Sequence, residues 1–181
     1  MTREYRLTVN GKTSVVTTEP HQSLLDTLRE RLGLTGSKKG CDEGECASCT
    51  VLLDGVPVNS CLVLVGDAAG KSITTIEGVA GSEGPHPLQR AFVELGGVQC
   101  GYCTPGMMMT ATALLEGNTS PSENDIRLAI SGNLCRCTGY VNIVKAIQQA
   151  AGTLRESASA PVVAAGTVEG QDVSAEPAAA G

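Results

Sequence analysis

The chain has 181 residues, 41% of them hydrophobic, and a net charge of −6 at pH 7. This acidic balance argues against a nucleic-acid partner, because no excess of cations is available to neutralise phosphates. With 2% aromatic residues and no tryptophan, two thin aliphatic cores are expected rather than one thick core. The sequence offers no transmembrane segment and no signal peptide, which favours a cytoplasmic protein with reduced thiols.

The N-terminal part has the pattern of a small sheet. Asn10-Gly11 and Asp54-Gly55 are hairpin turn signals between β-rich stretches. Ser23 is a predicted N-cap for a helix with one leucine-rich face. The predicted elements are strands over 3–9 and 12–18, a helix over 24–32, and strands over 50–53, 56–58 and 72–76. Together they predict a mixed sheet with one helix across it.

The pattern then changes to a helical period. Thr104 followed by Pro105 predicts an N-cap and a first helical residue. Ser122 and Asp125 resemble a capping box, and Gly152 is the expected stop of the last helix. The predicted helices cover 87–95, 104–115, 122–130 and 141–151. Four short helices predict a small helical domain.

The predicted fold class is therefore α+β, with the two kinds of structure in separate domains. A stretch with glycines and prolines separates them, and the C-terminal stretch lacks any helical or strand period. The predicted boundaries are a sheet domain over 1–78, a linker over 79–87, a helical domain over 88–155, and a disordered Ala/Gly-rich tail over 156–181.

All eight cysteines fall into two sets of four. The first thiol set, spaced Cys-x4-Cys-x2-Cys-x11-Cys, is Cys41, Cys46, Cys49 and Cys61. The second thiol set, spaced Cys-x2-Cys-x31-Cys-x-Cys, is Cys100, Cys103, Cys135 and Cys137. A [2Fe–2S] cluster takes four thiolates, and the first spacing is the plant-type ferredoxin arrangement. The spacing thus predicts two [2Fe–2S] clusters and a role in electron transfer.

The residues around the cysteines suit such clusters. Gly40 and Gly44 permit φ values closed to other residues, so the loop is able to wrap a cluster with its N–H groups inward. Cys100 and Cys103 precede a predicted helix N-terminus, whose dipole favours thiolate. Arg136 adds a positive charge beside the last two cysteines, or is an ordinary solvated surface arginine.

Three alternatives stay open at this point. Two structural zinc sites are compatible with Cys-x2-Cys, although Cys-x4-Cys-x2-Cys is not typical of zinc. Disulfides would require an oxidising compartment. A free-standing two-cluster ferredoxin would be a soluble carrier without a fixed partner, which the thin, aromatic-poor composition disfavours.

Three segments carry a resemblance to a known family. They are Gly-Cys-Asp-Glu-Gly-Glu-Cys-Ala-Ser-Cys, Val-Gln-Cys-Gly-Tyr-Cys-Thr-Pro-Gly-Met and Gly-Asn-Leu-Cys-Arg-Cys-Thr-Gly-Tyr. They resemble the small iron–sulfur subunit of molybdenum hydroxylases, the xanthine oxidase family, over about residues 3–151. The resemblance implies a β-grasp, plant-type ferredoxin-like domain followed by a four-helix domain, each holding one [2Fe–2S] cluster.

The resemblance also implies partners, while this chain carries no catalytic residue of its own. A large subunit would bind molybdopterin near the second thiol set, and a medium subunit would bind FAD near the first. The assembly would be a heterotrimer, itself able to dimerise, with the substrate pocket on another chain. Gln99 would hydrogen-bond the pterin, and Cys137 would both ligate iron and approach the pterin.

Two departures from the family pattern bear on structure and substrate. Ala47 stands where many relatives have glycine, and a left-handed backbone there would cost roughly 1 kcal/mol. Relatives that oxidise carbon monoxide carry Asp-Thr-Ser after the first cysteine, whereas this chain has Asp42-Glu43-Gly44. The second departure favours an organic substrate.

Overall fold

A computed structural model describes residues 1–81 and 84–159. The strands are β1 Arg3–Val9, β2 Lys12–Thr18, β3 Thr50–Leu53, β4 Val56–Asn59 and β5 Ser72–Thr74. The α-helices are α1 Leu24–Asp26, α2 Val65–Ala68, α3 Pro87–Glu94, α4 Thr104–Gly117, α5 Glu123–Ala129 and α6 Val141–Ser159. No helix in these two ranges is both long and apolar enough to cross a membrane.

The strands form one mixed sheet in the order β2-β1-β5-β3-β4. Strands β1 and β5 are parallel, and the other neighbours are antiparallel. Both predicted hairpins are present, and all four of their turn residues take positive φ, as a type I′ turn requires: Asn10, Gly11, Asp54 and Gly55. The mixed sheet expected from the sequence is confirmed.

Helix α1 begins as predicted and then widens. The Ser23 hydroxyl accepts the N–H of Asp26 at 3.0 Å, which confirms the N-cap. Residues Thr27–Arg31 continue as a π-helix, with the Leu32 N–H bonded to the Thr27 carbonyl at 3.3 Å. The Thr27 hydroxyl also donates to the Ser23 carbonyl at 2.9 Å, a type of hydrogen bond that bends helices.

Two separate hydrophobic cores are present, as the composition predicts. The sheet core lies between the strands, α1 and α2, and its buried members are Leu7, Val9, Val16, Leu24, Leu28, Val51, Val65, Ala68 and Ile73. The helical core lies among α3 to α6 and includes Leu88, Phe92, Met107, Ile126, Ile130, Ile143 and Ile147. Each half thus has its own hydrophobic interior, and the segments that carry the two thiol sets lie where the halves meet.

Helix α4 packs against the sheet half at a place where only glycine fits. A Cβ on Gly106 would collide with the carbonyl oxygen of Ala47, which is backbone and has no means of swinging away. Two hydrogen bonds cross nearby: the Leu134 N–H donates to the Cys46 carbonyl at 3.1 Å, and the Asn133 amide donates to the Ala47 carbonyl at 3.2 Å. These contacts fix the second thiol set relative to the first.

The predicted end of the last helix was wrong. Helix α6 passes through Gly152 and continues to Ser159. Leu154 packs on the helical core and Arg155 contacts Ser120, so tertiary contacts outweigh the roughly 1 kcal/mol cost of an interior glycine. The start of the predicted tail, up to Ser159, is therefore helical. The rest of that predicted segment, 160–181, lies outside the described residues.

Capping signals predicted two of the helix starts in the helical half, one of them inaccurately. The Ser122–Asp125 capping box is confirmed, with hydrogen bonds of 2.9 and 3.2 Å running in both directions. At α4, however, the N-cap is Cys103 rather than Thr104, so Pro105 is the second helical residue. Cys103 already has helical backbone angles there, which moves the start of the helix back by one residue.

Candidate metal centres

Backbone N–H groups of the loop that carries most of the first thiol set point at sulfur. The Cys41 N–H donates to Cys46 Sγ, and the Cys46 N–H donates to Cys41 Sγ, each at 3.4 Å. The Glu43 N–H also donates to Cys41 Sγ at 3.4 Å. These donors, first Glu43 and then Cys46, lower the pKa of the Cys41 thiol to about 7. The loop therefore favours thiolate, the form that binds metal.

The two glycines of this loop have different roles. Gly44 takes a φ of +84°, as expected, and a side chain there would also meet Leu62. Gly40 does not take positive φ; a Cβ on it would lie 2.7 Å from Cys46 Sγ. The absence of a side chain at Gly40 leaves room for Cys46 Sγ. Glycine is therefore needed at this position for close approach of the sulfur, and not for the positive φ that was predicted.

Two residues other than glycine adopt left-handed backbone in the same loop, Asp42 at φ +62° and Ala47 at φ +52°. The Ala47 carbonyl accepts three hydrogen bonds: from the Thr50 N–H at 3.2 Å, the Thr50 hydroxyl at 2.7 Å and the Asn133 amide at 3.2 Å. These bonds hold the strained conformation in place. The positive φ anticipated for Ala47 is present.

Cys49 and Cys61 complete the first thiol set. Their thiols interact with each other, and the Ser60 hydroxyl donates to the Cys49 carbonyl at 2.7 Å. Burial, and then the Cys49 thiol, raise the pKa of Cys61 to about 12, with a smaller effect from the charge of Cys41. The four thiols thus lie close enough to influence one another.

The second thiol set is also built from two pairs. The thiol of Cys100 has the largest effect on the pKa of Cys137 and raises it, and the thiols of Cys103 and Cys135 also interact. Burial, and then Cys135, raise the pKa of Cys103 to about 12. Burial alone would raise the pKa of Cys135, but hydrogen bonds from the side chain and backbone of Thr138 outweigh it and lower that pKa.

The number and grouping of the thiols decide which metal group fits. Within residues 1–81 and 84–159, no three His, Cys, Asp or Glu side chains are placed to hold a single metal ion. Each thiol set instead offers four free cysteines, and a [2Fe–2S] cluster takes four thiolates, two on each of its two irons. Inward N–H groups add the donors that such a cluster accepts. The donor set therefore fits a [2Fe–2S] cluster in each half.

The second thiol set opens on the protein surface. Cys100, Cys137 and the neighbouring Gln99 are all exposed, whereas Cys103 and Cys135 lie partly buried. Arg136 is exposed as well, which agrees with the solvated alternative for that residue. The exposed side of this set is thus the one that a partner is able to reach.

The remaining candidates have structural places. His21 is exposed and pairs with Glu19 at 3.1 Å, and His86 is the N-cap of α3, where its Nδ1 accepts the Leu88 N–H at 3.2 Å. Residues 107–109, the three methionines of α4, are buried in the protein interior. None of these side chains joins either thiol set.

Sequence reasoning missed Tyr140. Its hydroxyl accepts the Cys135 N–H at 2.9 Å and donates to the Asn133 carbonyl at 3.0 Å. The available signal was its position directly after Gly139 in the segment that carries Cys135 and Cys137, in a protein with only three tyrosines.

Comparison with protein-family models gives two matches that divide the chain. A model described as a 2Fe-2S iron-sulfur cluster binding domain matches residues 7–73. A model described as a [2Fe-2S] binding domain matches residues 75–148. Each model contains one complete thiol set, so the two halves match two different kinds of iron–sulfur domain.

Relatives of known function match nearly the whole described chain. The nicotinate dehydrogenase small FeS subunit of Eubacterium barkeri is 53% identical over 144 residues, which cover 80% of this chain and 92% of that protein. The aldehyde oxidoreductase iron-sulfur-binding subunit of Escherichia coli is 43% identical over 164 residues, covering 82% and 72%. Both names describe iron–sulfur subunits of oxidoreductases.

A solved structure agrees with the fold. Quinoline 2-oxidoreductase from Pseudomonas putida 86 contains a chain that superposes with a TM-score of 0.82 and 46% identity. The superposition covers 86% of this chain and 97% of that chain. The sheet half and the helical half are therefore arranged as in that enzyme.

Proposed function

This chain belongs to the small iron–sulfur subunits of molybdenum hydroxylases, and we propose on that premise that it links a large molybdopterin subunit to a medium FAD subunit. Its role is electron transfer within an oxidoreductase complex. The observation that carries the proposal is that two sets of four cysteines, each within a match to an iron–sulfur domain, are joined by hydrogen bonds from Leu134 and Asn133 to the loop of the first set. Their proximity suits a relay within one small protein.

The proposed pairs of ligands follow the interactions between the thiols. In the first thiol set, Cys41 and Cys46 would bind one iron, and Cys49 and Cys61 the other. In the second, the pairs would be Cys100 with Cys137 and Cys103 with Cys135. Each bound cluster supplies a centre that takes up and releases one electron at a time. The chain itself holds the sulfurs and, in the first set, directs N–H groups at them.

The direction of electron flow follows from the family resemblance. The second thiol set would face the molybdopterin subunit, with Gln99 hydrogen-bonding the pterin and Cys137 approaching it. The exposure of Gln99, Cys100 and Cys137 supports this proposal, because a partner has direct access to them. The first thiol set would then pass electrons on to the flavin.

The finer architecture is also proposed. It consists of a β-grasp domain over 1–78, a linker over 79–87 and a four-helix domain from residue 88, whose end moves from 155 to at least Ser159. The two separate cores and helices α3 to α6 support this division. A heterotrimer, itself able to dimerise, completes the assembly. The proposed location is cytoplasmic, since cysteines stay reduced and free to bind a cluster in a reducing compartment.

The proposal is tested by purifying the chain from its native cell. It should co-elute with two larger subunits at fixed stoichiometry, and the reduced complex should give two distinct [2Fe–2S] signals in low-temperature EPR. A colourless chain containing zinc would overturn the assignment of the clusters. A stable monomer that contains both clusters, with no partner in any fraction, would overturn the subunit role in favour of a free-standing carrier.

The substrate class is tested on the same material. An organic substrate is proposed, because the loop after Cys41 departs from the pattern of carbon monoxide-oxidising relatives. Aromatic N-heterocycles, aldehydes, purines and carbon monoxide should be compared as reductants of the complex. Bleaching of the visible cluster absorption by carbon monoxide alone would contradict the proposal.

A further inference from the structure

The Tyr140 hydroxyl lies between two backbone groups of one short segment, residues Asn133–Cys135. It accepts the N–H of Cys135 at 2.9 Å and donates to the carbonyl of Asn133 at 3.0 Å. A single phenol therefore bonds both ends of the segment. Because both of its contacts are to backbone, it fixes the path of the chain there whatever the side chain of Leu134 does.

Tyr140 itself is held in an unusual conformation. Its φ is +67°, in the left-handed region that residues of this size rarely occupy. Its N–H donates to the Thr138 hydroxyl at 3.2 Å, and that hydroxyl lies 3.1 Å from Cys135 Sγ. The ring packs, partly buried, against the helical core. Strain of this kind persists where the surroundings over-determine it, and it clusters at functional positions.

The segment that Tyr140 holds is the one that crosses to the other thiol set. The Leu134 N–H donates to the Cys46 carbonyl at 3.1 Å, and Asn133, which is 3% exposed, donates its amide to the Ala47 carbonyl at 3.2 Å. Leu134 is bonded directly to Cys135. Cys46 and Cys135 are therefore joined by covalent bonds and one hydrogen bond.

Other hydrogen bonds between the halves give longer routes. The route from the Ala47 carbonyl to Asn133 is longer than the link from Cys46 to Leu134, because it also passes through Ala47 and through the side chain and backbone of Asn133. The Tyr102 hydroxyl donates to the Lys39 carbonyl at 2.5 Å, but that route runs through a whole phenol ring and through Gly40 before it reaches Cys41. The link from Cys46 to Leu134 contains the fewest bonds of the three.

We propose that Tyr140 is a positioning residue whose hydroxyl holds residues Asn133–Cys135 so that the Leu134 N–H links the two thiol sets by one hydrogen bond. This inference rests on the proposed function, because it assumes a [2Fe–2S] cluster in each set. One electron passes from the second set to the first, with no bond made or broken and no proton transferred. Tyr140 touches neither sulfur nor substrate and acts through the backbone it orients.

The test is Tyr140→Phe in the assembled complex, with Tyr102→Phe as the matched control. Each variant removes one phenolic hydroxyl that bonds backbone: that of Tyr140 bonds Asn133 and Cys135 beside the second thiol set, and that of Tyr102 bonds Lys39 across the interface. Electron transfer between clusters is followed by flash photoreduction, rapid freezing and low-temperature EPR. Tyr140→Phe should keep full iron content but slow this transfer by about 10-fold, as supporting partners of metal ligands commonly do. Tyr102→Phe should leave the rate unchanged.

A second readout separates positioning from general loosening. Because the Cys135 N–H loses its partner in Tyr140→Phe, the reduction potential of the second-set cluster should shift while that of the first-set cluster stays constant. Equal shifts in both clusters would indicate a merely structural role. A wild-type rate and wild-type potentials in Tyr140→Phe would overturn the proposal.

An ester variant tests the link itself and does not depend on how well Tyr140→Phe assembles. Replacing Leu134 by its α-hydroxy acid through nonsense suppression removes the N–H that bonds the Cys46 carbonyl, and it also makes the Asn133 carbonyl, to which Tyr140 donates, a weaker ester acceptor. Transfer between clusters should slow as in Tyr140→Phe, and an unchanged rate would overturn the proposal. If the wild-type complex itself lacks two [2Fe–2S] signals, the proposed function fails; if it shows both signals and only the variants behave as wild type, the positioning role alone fails.

Discussion

In the sheet half, three of the four cysteines lie within one nine-residue loop, whereas the helical half draws its thiols from two segments over thirty residues apart. The first loop directs its own backbone N–H groups at Cys41 and Cys46. The second set depends on side chains from its surroundings, notably Thr138 and Tyr140. Local backbone geometry thus shapes most of the first site, while the second requires the assembled helical half.

The largest expected effect is on turnover of the complex, and it compares a cysteine of the second thiol set with one of the first. Cys137→Ser should reduce turnover of the complex more than Cys61→Ser, because Cys137 is exposed on the proposed molybdopterin side while Cys61 is partly buried on the outlet side. A lost ligand should cost at least about 10-fold in activity. Steady-state rates normalised to assembled complex check this. Equal losses, with both variants assembling normally, would contradict the assigned direction.

The next prediction breaks the contact between the halves. Gly106→Ala should destabilise the protein by roughly 1–3 kcal/mol, because its Cβ would collide with the Ala47 carbonyl oxygen. Gly152→Ala is the control: nothing lies within 4 Å of its Cβ, and it should stabilise α6 by about 1 kcal/mol. Urea unfolding, followed by loss of cluster absorption, measures both. Similar effects of the two variants would mean that the close approach at Gly106 is not a constraint.

A smaller effect concerns strain in the loop of the first thiol set. Ala47→Gly should raise the free energy of unfolding by up to about 1 kcal/mol, because glycine adopts positive φ without the Cβ clash. Ala129→Gly serves as the control: its φ is −58°, so the same change should destabilise the protein by about 1 kcal/mol. Thermal unfolding of the two variants should shift in opposite directions. A loss of stability in both would show that Ala47 is not strained.

The smallest predicted effect is a pH dependence in the helical half. Burial, and then the charge of Arg90, lower the pKa of His86, whose neutral imidazole caps α3. A folded pKa below the unfolded value of about 6.5 means that the cap is fully stabilising above that pH. Its contribution is lost as the pH falls from there through the folded pKa. His86→Asn keeps a capping acceptor that does not titrate, so its stability should change less with pH.

Unfolding midpoints at neutral and mildly acid pH check the last prediction. The wild-type protein should lose more stability on acidification than His86→Asn does. The sheet half should contribute equally to this loss of stability in both proteins, since the substitution lies in the helical half. An identical pH dependence would mean that the His86 cap does not titrate in this range.

Local sequence signals predicted much of the fold. Turn pairs such as Asn10-Gly11 take the positive φ that their chemistry favours, and the Ser122–Asp125 capping box forms as expected. The end of α6 was missed, because Leu154 and Arg155 find tertiary partners beyond Gly152. Helix propensity depends on residues that are close in sequence, so it does not predict a helix end that is stabilised by tertiary packing.

The sequence by itself determined the number and kind of sites, because its eight cysteines fall into two sets of four with the spacing of cluster ligands. The close approach at Gly106 and the bond from Leu134 to Cys46 were decided only by the tertiary structure. Spacing predicts the ligand sets because cysteines a few residues apart, such as Cys46 and Cys49, remain neighbours in space, whereas the two segments of the second set are brought together by the fold. The contacts between the halves join residues far apart in sequence, and only the packing of helices on the sheet brings them together.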